Sequence, residues 1–408
     1  MRRRAWLALA AFAAVCASVA TLWFTRAPSA PPDAVLPAPA PARAASAASL
    51  HAAAVAPVLP AALPVSAAHR ADQIELCGGI WVKTGPDGRI DEDDFNRVAD
   101  LPGARARLLD ALRADPGEFA RAATIRLGLV ASEPPLLTSA DTLARMASTT
   151  RDPQVYALAF NLCVGRPNEG ACQLLSAEQW ARLDPGNAAP WTFALDRTLA
   201  ARDTSAQNEA LHRIATSQRS ELYYFALPGL VLDHVPNDDA AIPVALTLAI
   251  EAIGVEAAHV VPGYQATTRL CRGAALRDAN RRQTCNAVAE LLVARSDTVI
   301  ERMMGMSIGA QLGWPAERID RLRGEYTAYN ASLNAENMLV PTSGCANIRR
   351  DLETVRQRAR LGEAGALREW VAQSGKTAED FIRIEREGRA RIAADAASAA
   401  ASAASAPR

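Results

Sequence analysis

The sequence predicts an all-α protein, built either as a solenoid-like array of helical hairpins or as an irregular helical domain. The first observation is that Asp-Pro recurs at Asp115-Pro116, Asp152-Pro153 and Asp184-Pro185, with spacings of 37 and 32 residues. Spacings of this size are typical of stacked helical hairpins. The second observation is that apolar residues at i, i+3 and i+4 follow each dipeptide, which is the pattern of an amphipathic helix. Few segments show the alternation expected of strands.

The clearest hairpin runs from Asp184-Pro185 to Ala215. Its first proline ends one helix, because proline disfavours the α region for the residue before it and cannot donate a backbone hydrogen bond. Asn187 is a candidate cap for the next helix, and Pro190 suits a first helical turn. Trp191 begins a one-face apolar pattern, and a polar break at residues 203–205 precedes a second amphipathic helix. We therefore expect a helix, a turn and a helix.

This hairpin resembles a tetratricopeptide repeat, in which a Pro ends one repeat and a Trp stands six residues later. Pro185, Trp191 and Leu211 match that pattern. Four positions depart from it: Leu195 stands where Gly is usual, Thr198 where Tyr is usual, Gln207 where Ala is usual, and Arg219 where the closing Pro is usual. The resemblance covers one repeat, about a tenth of the chain, and implies a peptide-binding or scaffolding solenoid.

Two later segments extend the helical prediction. Residues 221–232 are aromatic and apolar, and they predict a further hairpin about one repeat length beyond Pro185. Residues 242–254 are apolar almost all round, which predicts a central buried helix. That segment is too short to cross a bilayer, which needs about 20 residues.

The start of the chain predicts a membrane anchor. Three arginines make residues 1–4 a basic, cytoplasmic start, and residues 5–25 carry no charge. As a helix, this stretch would span the roughly 30 Å hydrocarbon core. Positive charge before the span keeps the N-terminus in the cytoplasm, so the rest of the chain would lie in the periplasm. We therefore expect a single-pass inner-membrane protein. The alternative is a cleaved signal peptide and a secreted product.

Composition divides the rest of the chain into three parts. Residues 26–71 form a linker, with 18 Ala and 9 Pro between positions 27 and 70, a composition that favours extended backbone and cannot form a core. Residues 72–392 form the predicted periplasmic helical domain. Residues 393–408 form an Ala/Ser tail that we expect to be disordered.

The charge of the chain argues against nucleic acid as a partner. From residue 72 onward there are 38 basic and 43 acidic residues, a formal charge of −5. Binding phosphates requires a positive field. We expect a protein or peptide partner instead.

Six cysteines follow the predicted anchor. An even number in an exported segment indicates disulfides, and six cysteines allow fifteen pairings. Cys163 lies close in sequence to Cys172, and Cys271 to Cys285, which leaves Cys77 and Cys345 as the third pair. Metal binding and reduced core cysteines are the alternatives. No Cys-x-x-Cys or His-x-x-x-His accompanies the cysteines, so we predict no metal site.

No catalytic, cofactor-binding or metal-binding residue is predicted, since the common nucleophile, zinc and dinucleotide motifs are absent from the sequence. Glu301 with residues 307–310 resembles the catalytic helix and turn of lytic transglycosylases, although Arg302 replaces the Ser that usually follows the catalytic Glu. We therefore predict a membrane-anchored helical scaffold of a bacterial envelope. The alternative is an envelope hydrolase with an unrecognised active site.

Overall fold

The computed structural model describes residues 72–85, 90–131, 136–335 and 345–377, with scattered positions between 379 and 390. The chain divides into two units, Met1–Ser66 and Ala67–Arg408, and every described residue belongs to the second. The predicted cytoplasmic start, membrane helix and C-terminal tail lie outside the described residues, as does the predicted linker 26–71.

Helices make up most of the described residues, so the all-α prediction is confirmed at the level of class. The sequence had not indicated an antiparallel pair of short strands, β1 (Gln73–Glu75) and β2 (Trp81–Lys83), which precedes them. The helices are α1 (Glu92–Val98), α2 (Leu101–Ala114), α3 (Glu118–Ala131), α4 (Leu136–Ala147), α5 (Pro153–Cys163), α6 (Ala177–Leu183), α7 (Ala189–Ala201), α8 (Thr204–Thr216), α9 (Ala226–Asp233), α10 (Ile242–Ala257), α11 (Gln265–Leu270), α12 (Ala279–Arg295), α13 (Val299–Leu312), α14 (Ala316–Ala335) and α15 (Cys345–Ser374). Short 3₁₀ turns lie at Gly170–Leu174 and Gly273–Arg277.

The three Asp-Pro dipeptides mark helix boundaries, as predicted, but they act in different ways. Asp152 caps α5, where its carboxylate accepts hydrogen bonds from the N–H groups of Gln154 and Val155. Asp115 follows the end of α2 and accepts from the N–H of Gly117. Asp184 follows the end of α6. In each case proline disfavours a helix that runs through the position before it.

The predicted hairpin is α7 followed by α8. Pro190 lies in the first turn of α7, and Asn187 Oδ1 accepts a hydrogen bond from the N–H of Ala189, while Ala188 occupies the cap position. Leu211 and Ile214 are buried on the inner face of α8. Burial of each such side chain contributes about 1.5–3 kcal/mol.

Helix α10 lies at the centre of one apolar core, which confirms the prediction of a central buried helix. It packs against α2, α9 and α15, and the strand pair contributes Val82 to the same core. The disulfide between Cys77 and Cys345 joins the strand pair to the start of α15, with their Cα atoms 4.8 Å apart. The early and late parts of the described domain therefore meet around α10.

The prediction of a helical hairpin over residues 221–232 is wrong in its first half. Helix α9 begins only at Ala226. The preceding residues 219–225, called the strap below, are not helical, because Tyr223 and Phe225 have φ angles of 60° and 69°. A left-handed conformation at two bulky residues is incompatible with a continuous helix. The stacking of each hairpin on the next in sequence ends at the strap. Helix α8, which precedes the strap, packs on α12, four helices later in the sequence.

Within the described ranges, every helix is either too short or too polar to cross a bilayer.

Candidate functional site

The strap runs through the domain between the segment that precedes α7 and the turn that joins α12 to α13. Its Arg219 forms a parallel bridge with Asn187, and its Ser220 forms one with Ser296. The N–H of Ala188 donates to the carbonyl of Arg219 at 2.8 Å. These contacts fix the start of the strap between α7 and the turn that joins α12 to α13.

Side chains satisfy the backbone of the strap, because a buried non-helical segment has no ladder of its own. Asn187 donates from Nδ2 to the carbonyl of Glu221 and accepts at Oδ1 from the N–H of the same residue, both at 2.8 Å. Asp297 Oδ2 accepts from the N–H groups of Leu222 and Tyr223, both at 2.9 Å.

The side chain of Glu256 binds the backbone at the end of the strap in the same way. Its carboxylate accepts from the N–H of Phe225 at 2.6 Å and from that of Leu227 at 2.9 Å. Burial raises the pKa of Glu256 to about 8, although the two backbone donors and the guanidinium of Arg126 lower it. Glu256 thereby caps the start of α9, where the first N–H groups have no helical partner.

Glu301 lies beneath the strap with 0% of its surface exposed. Its Oε1 accepts a hydrogen bond from the hydroxyl of Ser220 at 2.6 Å, and its Oε2 accepts one from Thr298 at 3.2 Å. The hydroxyl of Tyr264 lies beside the carboxyl group without an aligned hydrogen bond of its own. Burial raises the pKa of Glu301 to about 7, and these neighbouring hydroxyl groups lower it in part.

Asp297 is the third member of what we call the carboxyl cluster, which consists of Glu256, Asp297 and Glu301. Burial and the neighbouring Glu301 raise the pKa of Asp297 well above its usual range, against the effect of its two backbone donors. Its Oδ1 has no hydrogen-bond partner among the described residues. Such an orphan oxygen favours the protonated acid, because an unpaired buried charge is costly.

The carboxyl cluster does not form an accessible acid-base site. A general acid must come within hydrogen-bond reach of its substrate, whereas Glu301 is fully enclosed and contacts Ser220 and Thr298 of its own chain. The geometry gives no support to the resemblance of this helix to the catalytic helix of lytic transglycosylases. The cluster instead holds the strap.

The exposed end of the strap carries a network of charged groups. The guanidinium of Arg219 pairs with Asp184 at 2.5 Å and with Glu221 at 2.8 Å. The hydroxyl of Tyr223 donates to Asp184 at 2.7 Å. Arg219, which stands where a tetratricopeptide repeat has its closing Pro, therefore ties the strap to the end of α6.

A surface hollow of about 620 Å³ lies between α4 and the loop that follows α5. The disulfide Cys163–Cys172 closes that loop, with the Cα atoms 5.2 Å apart. Asp141 of α4 accepts from the N–H of Ala171 at 2.6 Å and so joins the helix to the loop. The left-handed Gly170 permits this approach, because a Cβ there would lie 2.1 Å from Asp141 Oδ1.

The polar lining of the hollow carries both signs of charge. Arg145 is 69% exposed and lies 3.5 Å from Asp141. Arg166 and Glu169 reach the hollow from the disulfide-closed loop. The hydrogen bonds and ion pairs found among the described residues leave the guanidinium of Arg166 without a partner. Apart from the paired cysteines, no sequence pattern marks this site, because the contact that builds it joins residues 30 apart.

The predicted cysteine pairs lie at bonding distance in the structure. Besides Cys77–Cys345 and Cys163–Cys172, Cys271 and Cys285 are bonded, with a Cα separation of 5.5 Å. The described part of the chain contains no group of three His, Cys, Asp or Glu side chains arranged to hold a metal ion.

Comparison of the chain with protein-family models, curated proteins and solved structures gives no match.

Proposed function

We propose that the protein is a membrane-anchored, periplasmic helical scaffold that binds a protein or peptide partner in a bacterial envelope. The basic start and the uncharged residues 5–25 support the anchor. Three disulfides support an oxidising compartment, because disulfides are rare where cellular thiols are kept reduced.

The surface hollow is the observation that carries the binding function. Its volume falls within the roughly 300–1,000 Å³ typical of ligand sites. Guanidinium groups from Arg145 and Arg166 supply donors, and Glu169 and the hydroxyl of Thr142 supply acceptors. A peptide needs both kinds of group, because each of its units carries one donor and one acceptor. The disulfide fixes the loop side of the hollow, which reduces the ordering cost of binding.

An envelope hydrolase is the second candidate. The raised pKa values of the carboxyl cluster are the feature that would favour it, since catalytic carboxyls are often perturbed in this way. Glu256 and Glu301 are buried, however, and the residues that line the hollow include no member of the cluster. The scaffold is therefore the better supported proposal.

Site-specific photo-crosslinking in the native envelope tests the binding function. A photoreactive residue at position 145 or 166 of the full-length chain should give a discrete adduct with a partner. The matched control is the same residue at position 321, which replaces an exposed Arg outside the hollow. Arg166→Glu should remove the adduct formed at position 145. Adducts of equal yield at all three positions, or none at the hollow, would count against this site.

A further inference from the structure

We infer that the Asp297 and Glu301 carboxyl groups hold the strap as a pair that carries one proton, so that the strap is fastened in acid and loosened as that proton is lost. This inference goes beyond the proposed binding function and does not depend on it. It concerns the interior of the domain and not the hollow.

The first basis is the crowding of acids at the start of α13. Asp297 and Glu301 stand four residues apart across its first turn, and Glu363 of α15 accepts a hydrogen bond from the N–H of Val299 at 2.8 Å. Gly362 makes this approach possible, because it has a φ of 68° and a Cβ there would lie 2.8 Å from Asp297. Three carboxyl groups thus meet at one helix end. The partial positive charge at a helix N-terminus, about half an elementary charge, does not balance three carboxylates.

The second basis is the absence of a basic partner. The hydrogen bonds that Asp297 and Glu301 accept come from backbone N–H and hydroxyl groups in the described chain, and none comes from a basic side chain. Arg302, next in sequence, pairs instead with Glu325 of α14. Two enclosed carboxylates without a cation would repel each other, and one proton on the pair removes that repulsion.

The charged and titratable groups on the surrounding elements do not change this conclusion. The strap contributes Glu221, whose negative charge raises the pKa of Asp297. It also contributes Tyr224, whose own pKa is raised by the charge of Asp297 among others. The segment after α10 contributes Tyr264, which lies beside Glu301. Glu221 adds negative charge and so acts against ionisation of Asp297, whereas the hydroxyl of Tyr264 lowers the pKa of Glu301 in part. Phenol groups are neutral near pH 7, so neither tyrosine supplies a cation.

The cations in this region face other groups. Arg126 of α3 lies near Glu256 and donates to the carbonyl of Val255 at 3.2 Å. Arg358 of α15 lies over the ring of Phe225, 5.6 Å from its centre. The half-buried His259 lies edge-on to Tyr224, and desolvation lowers its pKa to about 3.

The strap responds to the charge of the pair because both members bind it directly. Glu301 accepts from the Ser220 hydroxyl, and Asp297 accepts from the N–H groups of Leu222 and Tyr223. Ionisation of both groups favours their hydration, and movement of the strap away from the pair would admit water to Glu301, which is fully buried. We therefore expect local opening of residues 219–225 before the domain unfolds.

The direction of the pH dependence follows from linkage. A carboxyl whose pKa is raised on folding binds its proton more tightly in the folded state, so stability falls as pH rises from the unfolded value towards the folded one. For Glu301 this window runs from 4.5 to about 7, and for the neighbouring Glu256 it ends at about 8. His259 acts in the opposite sense, but only below its ordinary value of 6.5. From pH 6.5 to 8 the contribution of His259 fades, so the carboxyl groups, Glu256 included, dominate the pH dependence.

Hydrogen exchange of the full-length, oxidised protein between pH 6.5 and 8 tests the proposal. After correction for intrinsic exchange, protection of the Leu222 and Tyr223 amides should fall by up to about tenfold per pH unit for each proton lost. Amides within α5 should change much less. Asp297→Asn and Glu301→Gln should each flatten the strap profile, whereas Glu290→Gln, which changes a partly exposed carboxylate paired with Arg318, should not.

Infrared spectra of the wild-type protein keep the proposal testable if a variant fails to fold. The band of a protonated carboxyl group should persist at pH 6.5 and diminish towards pH 8. Strap protection that does not change with pH, an unchanged profile in both variants, or a protein without protonated carboxyl groups at pH 6.5 would each overturn the proposal.

Discussion

Replacement of Asn187 by Ala is the sharpest test of how the strap is held. The side chain is 0% exposed and makes four hydrogen bonds. It donates to Asp184 and to the Glu221 carbonyl, and it accepts from the N–H groups of Glu221 and Ala189. Ala retains none of these bonds, so three backbone groups lose a partner in the interior.

The expected cost follows from those three groups. A buried polar group left without a partner costs about 1–3 kcal/mol. Water that enters the vacated space will satisfy part of this demand, because the site is polar. We therefore expect Asn187→Ala to lower the free energy of unfolding by about 3–5 kcal/mol, which is at least a hundredfold change in the unfolding equilibrium.

Urea-induced unfolding of the oxidised protein measures this change, and hydrogen exchange locates it. The matched control is Asn286→Ala, since Asn286 is exposed and accepts one hydrogen bond, from the indole N–H of Trp314 at 2.8 Å. The control should cost less than about 1 kcal/mol. If Asn187→Ala costs no more than Asn286→Ala, or if exchange increases only outside the strap, the side chain does not hold this segment.

Three further predictions concern topology, disulfides and Gly362, where the backbone of α15 leaves the helical conformation. We expect activity in a bacterial host from a reporter that is fused after Arg408 and works only outside the cytoplasm. The N-terminus should remain in the membrane fraction. Soluble protein that begins within residues 26–71 would indicate a cleaved signal instead. Peptide mapping without reduction should recover Cys77 linked to Cys345, and a free thiol at either position would show that this bond does not form. Gly362→Ala should destabilise the domain by about 1–3 kcal/mol, because Ala disfavours a φ of 68° and its Cβ would press on Asp297. The control is Gly128→Ala, where a Cβ meets open space, so this change should have little effect or be stabilising.

The helix boundaries could be predicted because their causes are local. Asp152 and Pro153 act on residues within one helical turn, and so does the break at Asp203, whose carboxylate accepts from the N–H of Ala206. The all-round apolar pattern of α10 likewise predicts burial from composition alone. In these segments the local preference and the tertiary packing agree.

The strap could not be predicted because its causes are distant. Its aromatic and apolar residues suit a helix as well as they suit an extended segment. The groups that decide between the two, Asn187, Glu256 and Asp297, lie 34, 31 and 75 residues away from the strap positions that they bind. No sequence pattern marks the left-handed conformation of Tyr223 and Phe225. Tertiary hydrogen bonds override the local preference here.

The departures from the tetratricopeptide pattern explain why the pattern stops after one hairpin. Gln207, in place of Ala, donates from its amide to the carbonyl of Thr198 at 3.2 Å and so bonds α8 to α7. Leu195, in place of Gly, is fully buried with Leu211 in one apolar core, where a Gly would leave that volume empty. Arg219, in place of Pro, bonds to Asp184, and its N–H donates to the carbonyl of Gly186 at 3.1 Å. A proline could make neither contact. The residue that would close a repeat in the family instead begins the strap, so the chain enters the interior at the point where the next hairpin would otherwise start.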